Sequence, residues 1–395
     1  MRRVAVIIET STQYGRNLIN GIAGFGRLHD WQLLFEYRGK NTAEPNWLED
    51  FDGDGVITTC PTPTHSVSLR AKGTPVVDLG SGRQANVESE LLIDSDHRHV
   101  GELAAEHFVS KGHRHFAFLG YSDHPVSRER EAGFVAALKK HGYTPERHHT
   151  PERQERSFEI LHKGDATFIA SLPRPCGLFC CWDEVGYRAV HTALDLGIAV
   201  PEDLAVLGVD NDPVFCGTAR IPLSSIDPDI TRMGFLTASW LEALMNGNKV
   251  RDIDLPRQVQ SKGLVIRQSS ALEAVDDPLV RRFLELLRQR RPGTLTIEAL
   301  AVDCHVSRRL LEQRVKAATG KTPRQHLSAS LVEAIKRFLT QTDYTLAHIA
   351  EVLGFEHSER LSHLFRRETG KTPGEFRKNW RETDFAKSQP RFPSS

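Results

Sequence analysis

Short apolar runs alternate with segments of helical periodicity over the first 270 residues. The apolar runs are rich in β-branched residues, which favour strands, and apolar positions in the segments between them are spaced for one face of a helix. The predicted strands are residues 4–8, 32–36, 55–58, 75–78, 115–120, 177–181, 204–209 and 263–267. The predicted helices between them include residues 100–111, 129–141 and 184–196. Continuous apolar strands separated by helices predict an α/β fold with parallel sheets covered on both faces.

This strand and helix pattern occurs twice, near residues 1–110 and 115–225, which predicts two similar doubly wound lobes. We expect residues 1–269 to form one domain, with lobes of about 1–110 plus 228–250 and 112–226 plus 253–269. Ligands in such sheets bind beyond the carboxyl ends of the strands. Residues 270–277 are a predicted linker, and Asp277 and Pro278 are suited to begin a helix. Residues 278–385 then have helical patterns throughout, and 386–395 are a predicted flexible tail.

An internal repeat marks the all-α region. The sequence Thr-Gly-Lys-Thr-Pro occurs at residues 319–323 and again at 369–373. Upstream positions match by type: Thr296 with Thr345, Ile297 with Leu346, Leu300 with Ile349, Ala301 with Ala350, Val306 with Phe355 and Val315 with Phe365. Each copy has a helix, a tight turn and a longer helix, at about 294–319 and 345–369. Gly354 suits the left-handed turn position, and His305 is its less favourable counterpart.

The charge of the chain is divided unevenly. Residues 279–395 contain 22 Lys and Arg against 13 Asp and Glu, a net charge of +9, so the rest of the neutral chain carries −9. A basic region on an acidic protein is typical of contact with a polyanion. Two helix-turn-helix units with this charge favour double-stranded DNA as the partner, and a helical repeat pair for protein contacts is the alternative.

Other classes of protein find little support. No apolar run approaches 18 residues, so no membrane span is predicted. The apolar start ends at Glu9, as a buried strand would and a signal peptide would not, so we expect a cytoplasmic protein. The six cysteines have no Cys-x-x-Cys spacing, which predicts neither a zinc site nor a disulfide framework.

An enzyme is the less favoured alternative. The sequence has no Gly-x-Gly-x-x-Gly after a strand, no phosphate-binding loop and no Gly-x-Ser-x-Gly motif. The histidine pairs His113/His115 and His148/His149 have no matching carboxylate or cysteine spacing for a metal. We therefore predict no catalytic residue, no metal and no cofactor.

Residues 278–380 resemble the DNA-binding domain of AraC-type transcription regulators. The resemblance is carried by residues 349–355 (Ile-Ala-Glu-Val-Leu-Gly-Phe), 364–370 (Leu-Phe-Arg-Arg-Glu-Thr-Gly) and 372–373 (Thr-Pro). It implies that the second helix of each unit enters the major groove. The implied base-facing residues are Arg309, Glu312, Gln313, Ser358, Glu359, Ser362 and His363. Lys316, Arg366 and Arg367 are implied near the phosphate backbone.

Residues 2–269 resemble the effector domain of LacI-type repressors and sugar-binding periplasmic proteins. The matching stretches are 111–113 (Lys-Gly-His), 207–211 (Leu-Gly-Val-Asp-Asn), 223–226 (Leu-Ser-Ser-Ile) and 232–234 (Arg-Met-Gly). Positions that match the family's ligand residues are Asp96, Arg130, Asp183 and Asp210, with Tyr14 and Trp182 as platforms for a sugar ring and Arg16 and Asn211 as further candidates. Asp183 can instead cap the helix that follows it, and Trp182 can instead join the lobes.

A LacI-type domain followed by an AraC-type domain is the order found in regulators of xylose operons. The resemblance therefore implies a DNA-binding regulator controlled by a small sugar, D-xylose, bound between the lobes. Another sugar or a purine remains open, because Pro228 stands where many sugar binders carry glutamine, with Asp227 beside it. The family also implies a homodimer and raises RNA polymerase as a partner.

Overall fold

The computed structural model describes residues 1–39, 42–59, 65–79, 93–150, 158–290 and 292–388. The chain divides into two compact units, Met1–Ala274 and Val275–Ser395. We call them the N-terminal unit and the C-terminal unit. The finer lobe limits and the linker at 270–277 stay predictions.

The N-terminal unit contains two separate sheets. The first is fully parallel, has the strand order β2-β1-β3-β4 and is built from β1 (Arg2–Ile7), β2 (Trp31–Leu34), β3 (Gly55–Thr58) and β4 (Val76–Asp78). The apolar residues of these strands are buried because helices cover the sheet; Val4, Ile7, Val56 and Val77 are 0% exposed. This sheet supplies the core of the first lobe.

The second sheet has six strands in the order β12-β10-β9-β8-β6-β7. Its strands are β6 (His115–Tyr121), β7 (Glu146–Thr150), β8 (Cys176–Cys180), β9 (Leu204–Val209), β10 (Ser224–Asp227) and β12 (Gly263–Val265). All neighbours are parallel except β12, which is antiparallel to β10. A two-stranded parallel pair joins β5 (Asp94–Ser95) to β11 (Gln258–Val259) where the chain passes between the sheets.

Eight helices are described around these sheets: α1 (Gln13–Leu28), α2 (His65–Ala71), α3 (His97–Ser110), α4 (Pro125–Lys140), α5 (Phe158–Ser171), α6 (Asp183–Asp195), α7 (Pro213–Thr218) and α8 (Ile230–Met245). Helices α3 and α4 cross closely beside the second sheet. The crossing depends on glycine, because a Cβ on Gly101 would lie 2.0 Å from the carbonyl oxygen of Arg130. The α/β fold predicted from the periodicity is confirmed.

The C-terminal unit is helical throughout its described part. Its helices are α9 (Pro278–Gln289), α10 (Ile297–Asp303), α11 (Arg308–Thr319), α12 (Pro323–Gln341), α13 (Leu346–Leu353), α14 (Ser358–Thr369) and α15 (Pro373–Ser388). One apolar cluster holds α9, α10 and α11, and a second holds α12, α13 and α14. Each cluster thus fixes one helix-turn-helix pair.

The sequence repeat is repeated in hydrogen bonds. Thr296 and Thr345 cap α10 and α13 by accepting from the N–H groups of Ala299 and His348. The Thr-Gly-Lys-Thr-Pro segments end in matching caps: Thr322 accepts from the Gln325 N–H and Thr372 from the Glu375 N–H, both at 3.3 Å. These local bonds make the two helix-turn-helix motifs alike, because each bond depends only on residues within one helical turn.

The turn residues also behave as their types predict. Gly354 has a φ of +86° and His305 a φ of +57°, so both occupy the left-handed region that closes the tight turn. Asp277 caps α9, whose first residue is Pro278. Histidine adopts that conformation less readily than glycine, and apolar packing between α10 and α11 holds the helices on either side of the turn.

Some elements differ from the prediction. Strands β7 and β10 were not predicted, since Glu-Arg-His-His-Thr and Ser-Ser-Ile-Asp lack an apolar run. The predicted tail begins at 386, yet α15 continues to Ser388, and residues 389–395 lie outside the described part. Cys60 lies outside it too, and the five described cysteines are free and buried. None of the described helices is both long and apolar enough to cross a membrane.

Candidate effector site and nucleic-acid interface

Arg130 occupies the centre of a polar cluster at the carboxyl end of the second sheet. It lies on α4 and is 2% exposed. One terminal nitrogen donates to the carbonyl of Cys181, and the other lies 3.5 Å from a carboxylate oxygen of Asp210. The guanidinium carbon lies 5.4 Å from the ring centroid of Trp182. Segments that follow β6, β8 and β9 therefore meet at one arginine, as the topology of a parallel sheet requires.

The loop after β9 holds Asp210 and Asn211 in an unusual backbone conformation. Their φ values are +112° and +52°, in the region that L residues seldom adopt. The N–H of Asn211 donates to Ser225 Oγ at 2.9 Å, and its side-chain amide donates to Asp227 at 3.4 Å. Strained backbone of this kind is concentrated at functional sites.

Burial controls the charge of this cluster. Burial raises the pKa of Asp210 to about 6, although the charge of Arg130 opposes the shift. Burial and repulsion by Asp210 raise the pKa of Asp183 to about 8. One oxygen of Asp183 accepts from the Asp212 N–H at 2.8 Å and from Cys216 Sγ at 3.3 Å. The other oxygen is buried without a hydrogen-bond partner among the described residues.

Asp183 and Trp182 do more than begin a helix. Trp182 is the N-cap residue of α6 and Asp183 is its first helical residue, with no side-chain cap bond to the helix. Instead, Asp183 holds the loop at Asp212, and the Trp182 ring lies 5.5 Å from that of Tyr121. The structure thus brings Arg130, Trp182, Asp183, Asp210 and Asn211 together.

The other three predicted ligand residues lie elsewhere in the N-terminal unit. Tyr14 is half-buried in the first turn of α1 and packs against the first lobe's core. Arg16 is exposed, and it donates to the carbonyls of Thr10 and Ser11 at 2.9 and 3.0 Å. Asp96 caps α3 by accepting from the His99 N–H and also accepts from Gln260 at 3.1 Å. Although burial opposes it, these bonds lower the pKa of Asp96.

Two residues of the cluster were not selected as candidates. Arg267 donates to the Asn211 side-chain oxygen at 2.7 Å, and Ser225 accepts from the Asn211 N–H. The sequence pattern predicts Arg267 only as the last residue of the strand at 263–267. The strand order of the folded sheet explains this contact, since β12 lies beside β10 and therefore near the loop after β9, and no spacing along the chain displays it.

The ten predicted DNA-facing residues lie on α11 and α14, the second helices of the two pairs. All are exposed or half-buried: Arg309, Glu312, Gln313 and Lys316 on α11, and Ser358, Glu359, Ser362, His363, Arg366 and Arg367 on α14. The buried faces of these helices are Leu311 and Val315, and Leu361 and Phe365. Each helix thus packs one apolar face and presents a polar one, which is the arrangement that major-groove contact needs.

Ion pairs distinguish these polar residues from one another. Arg308 pairs with Glu312 at 2.8 Å and with Glu298, so this unpredicted arginine accompanies a predicted base-facing carboxylate. Arg367 pairs with its neighbour Glu368 at 2.6 Å. Arg314 is bonded to Asp277 at 2.5 Å, which fixes α11 to the start of α9.

Comparisons with known families agree with this division. The family of periplasmic binding proteins and the sugar binding domain of the LacI family matches residues 5–160, and the family of periplasmic-binding-protein-like domains matches residues 105–270. A helix-turn-helix domain family matches residues 300–379. The chain is a DNA-binding transcription regulator, and not an enzyme, that joins a periplasmic-binding-protein-like effector domain to an AraC-type helix-turn-helix domain.

Full-length relatives have the same organisation. The chain is 26% identical over 387 residues to the xylose operon regulatory protein of Haemophilus influenzae, covering 95% of this chain and 98% of that protein. It is 24% identical over 388 residues to the Escherichia coli protein of the same name, covering 95% and 96%. A solved structure of the xylose-binding transcription activator XylR has a TM-score of 0.79 at 22% identity, covering 96% of this chain and 98% of that one.

Proposed function

We propose that this regulator binds D-xylose and that sugar binding controls its binding to DNA. The cluster of buried Arg130 with the half-buried Asp210 and Trp182 is the observation that carries the proposal. A pentose requires donors and acceptors for adjacent hydroxyls and an apolar surface for its ring. Arg130 offers N–H groups, Asp183 has a buried oxygen without a described partner, and Trp182 provides the aromatic surface. The names of the full-length relatives support xylose as the sugar.

For DNA, we propose that α11 and α14 enter successive major grooves about one helical turn apart. Arg309, Gln313 and His363 then meet base edges, while Lys316, Arg366 and Arg367 meet phosphates. Arginine suits guanine and glutamine suits adenine, because each pairs with two atoms of the base edge. Glu312 and Glu359 suit the cytosine amino group, and Ser358 and Ser362 suit several bases.

The proposed response is lobe closure around the sugar. Closure stabilises one arrangement of the N-terminal unit, and two subunits of a homodimer then place their DNA-binding units differently. Tyr14, Arg16 and Asp96 belong to this proposal as groups that reach the sugar when the lobes close. The setting is the cytoplasm, with RNA polymerase as a further partner at the promoter.

A ligand panel tests the proposal. The melting temperature of the full chain is measured with D-xylose, L-arabinose, D-ribose, D-glucose and purine bases. A ligand that binds only the folded state adds about 2.7 kcal/mol of stability at a hundred times its Kd. We expect D-xylose to give the largest shift and to change the sites recovered in a DNA-binding selection. A panel in which D-xylose shifts nothing contradicts the sugar assignment.

A different effector is the second candidate. Asp227 accepts from Asn211 and from the Asp229 N–H at 2.9 Å, so a carboxylate lies next to Pro228, the position where many sugar binders carry glutamine. A carboxylate at this point favours a ligand with an extra donor group. A larger shift from another sugar or from a purine base in the same panel would identify that ligand.

A further inference from the structure

The polypeptide leaves the N-terminal unit through a segment that is anchored in its core. After β12 and Arg267 the chain forms a 3-10 turn over Gln268–Ser270 and continues to Ala274. We call residues 268–274 the exit segment. Ser269 and Ser270 are 0% and 1% exposed. Ser269 Oγ donates to the Val206 carbonyl at 2.6 Å and accepts from the Ser224 N–H at 2.8 Å, so β9 and β10 both hold the turn.

Helix α3 holds the other side of the exit segment. His107 Nε2 lies 2.9 Å from Ser270 Oγ, and the Lys111 ammonium donates to the Ala271 carbonyl at 3.0 Å. The Ala274 N–H donates to the Lys111 carbonyl at 2.8 Å. Burial and the nearby Lys111 charge lower the pKa of His107 to about 4, so its ring is neutral at physiological pH. The end of α3 therefore fixes the exit segment through three separate bonds.

The first half of the same helix contacts a residue of the candidate effector site. Asp96 caps α3, and Gly101 packs against the backbone of Arg130. The helix has 14 residues, which at 1.5 Å per residue makes it about 20 Å long. Helix α3 therefore contacts Arg130 in its first half and holds Ser270 and Ala271 at its end.

Arg267 gives a second and shorter connection. Its backbone N–H donates to Ser224 Oγ at 2.8 Å, and its guanidinium donates to the Leu223 carbonyl at 2.9 Å and to Asn211 Oδ1 at 2.7 Å. Asp210 and Asn211, in the loop after β9, are the two residues of the candidate effector site with positive φ. The residue directly before the exit segment thus holds this loop in its strained conformation.

We propose that Arg267 and the exit segment couple the effector site to the C-terminal unit, with Arg267 as the positioning residue for the Asp210–Asn211 loop. This assignment rests on the proposed function, since it explains how an effector reaches DNA binding. The C-terminal unit begins at Val275, whose side chain is buried in that unit's own core. Ala274, which is anchored in the N-terminal unit, and Val275, which is buried in the C-terminal unit, are therefore adjacent in the chain.

Hydrogen exchange of the full chain without any sugar tests the coupling directly. The variants are Arg267→Ala, Arg267→Lys and Ser270→Ala, with Arg257→Ala as the control, because Arg257 stacks on Trp240 in the first lobe. Lysine keeps the charge but cannot bond both Leu223 and Asn211 as the guanidinium does. We expect the backbone amides of residues 208–212 and 268–274 to exchange together at least about tenfold faster in each test variant, and at an unchanged rate in the control. Faster exchange in only one of the two segments overturns the coupling.

The DNA response is then measured with the same variants. The ratio of DNA Kd without and with D-xylose reports coupling, which is commonly about 5-fold to 150-fold. We expect Ser270→Ala to retain sugar binding and to bring this ratio to within about twofold of one. A folded Ser270→Ala protein with the wild-type ratio overturns the proposal. If no sugar changes DNA binding by the wild-type chain, the proposed function is contradicted instead. The hydrogen-exchange result, measured without sugar, still decides whether the loop after β9 and the exit segment are coupled.

Discussion

In the N-terminal unit the charged side chains of the candidate site are buried, whereas in the C-terminal unit those of the candidate interface are exposed. Arg130 and Asp183 are 2% and 1% exposed, but the side chain of Arg367 is 51% exposed and that of Arg308, which pairs with Glu312, is 57% exposed. A buried charge depends on its few protein neighbours, and an exposed one interacts with ions and with any polyanion nearby. The two units should therefore respond to different changes of solution: the N-terminal unit to pH and the C-terminal unit to salt.

The largest expected effect is the salt dependence of DNA binding. The exposed cations proposed to meet phosphates are Lys316, Arg366 and Arg367, and the exposed Arg308, Arg314 and Arg360 lie on the same two helices. About six phosphate contacts would reduce DNA affinity on the order of 10³-fold between 50 and 200 mM salt, because bound counterions are released. The Kd for D-xylose should change less than about twofold, since the ligand is neutral. Equal salt dependence of the two affinities would remove the distinction between the units.

Next in size is the loss of the arginine at the centre of the effector site. Arg130→Ala removes the bonds to Cys181 and Asp210 and should weaken D-xylose binding by about 100-fold, equivalent to about 3 kcal/mol. Arg128→Ala is the matched control, because Arg128 is exposed on the same helix. Calorimetric titration gives both sugar affinities, and DNA binding without sugar should stay unchanged in both variants. Weakened DNA binding in Arg130→Ala would mean that the effect is not confined to the N-terminal unit.

The same contrast explains what the sequence could predict. The C-terminal unit is determined by local signals, so the helix start at Asp277 and the turns at His305 and Gly354 followed from residue type and spacing. The N-terminal site joins residues far apart in the chain. Its Arg130, Asp183 and Asp210 were named through family resemblance, and only the sheet order shows why they meet.

What escaped prediction shares a physical cause. Strand β7 is an edge strand of polar residues, and β10 buries two serines that bond to neighbouring segments, so neither has a hydrophobic period. Arg267 and Ser225 act through hydrogen bonds across neighbouring strands, which no spacing along the chain displays. The partnership of Glu312 with Arg308 follows the helical spacing of four, but a single pair of that kind does not distinguish a solvated helix face from a base contact.

The two tight turns of the C-terminal unit, at His305 and Gly354, should respond in opposite directions when the turn residue is exchanged. Gly354 has a φ of +86°, and a Cβ there would lie 2.5 Å from the Thr294 methyl carbon. Gly354→Ala should destabilise this unit by about 2 kcal/mol, because both strain and contact oppose the added carbon. His305→Gly relieves the strain of a φ of +57° and should stabilise the unit by up to about 1 kcal/mol. Calorimetry of the full chain should show the transition of the N-terminal unit unmoved in both variants.

Within the DNA interface, two arginines should separate specificity from general affinity. Arg309→Ala should relax preference at one base pair, with a loss of about 1–3 kcal/mol of discrimination. Arg366→Ala should weaken all sequences alike by about tenfold and reduce the salt slope by about one. A binding-site selection on both variants distinguishes these outcomes. Uniform weakening by both would place Arg309 at the phosphates.

The pH dependence of the N-terminal unit is expected to follow from its buried carboxyl groups. Burial and Asp210 raise the pKa of Asp183 to about 8 from an ordinary 3.8, so the folded chain holds a proton that the unfolded chain has lost. This stabilises the folded state at low pH, and the stabilisation falls as pH rises from about 4 to about 8, by at most about 1.4 kcal/mol per pH unit. Asp210, with its pKa of about 6, contributes only to the lower half of that range.

Asp183→Asn should therefore flatten the stability profile between pH 6 and 8, as measured by urea unfolding of the full chain. Asp195→Asn is the control, because Asp195 lies at the surface 3.5 Å from Arg220 and should leave the slope unchanged. A wild-type profile that is already flat over this range would mean that Asp183 is charged in the folded protein, and its unpartnered oxygen would then need a cation or a donor group from the effector.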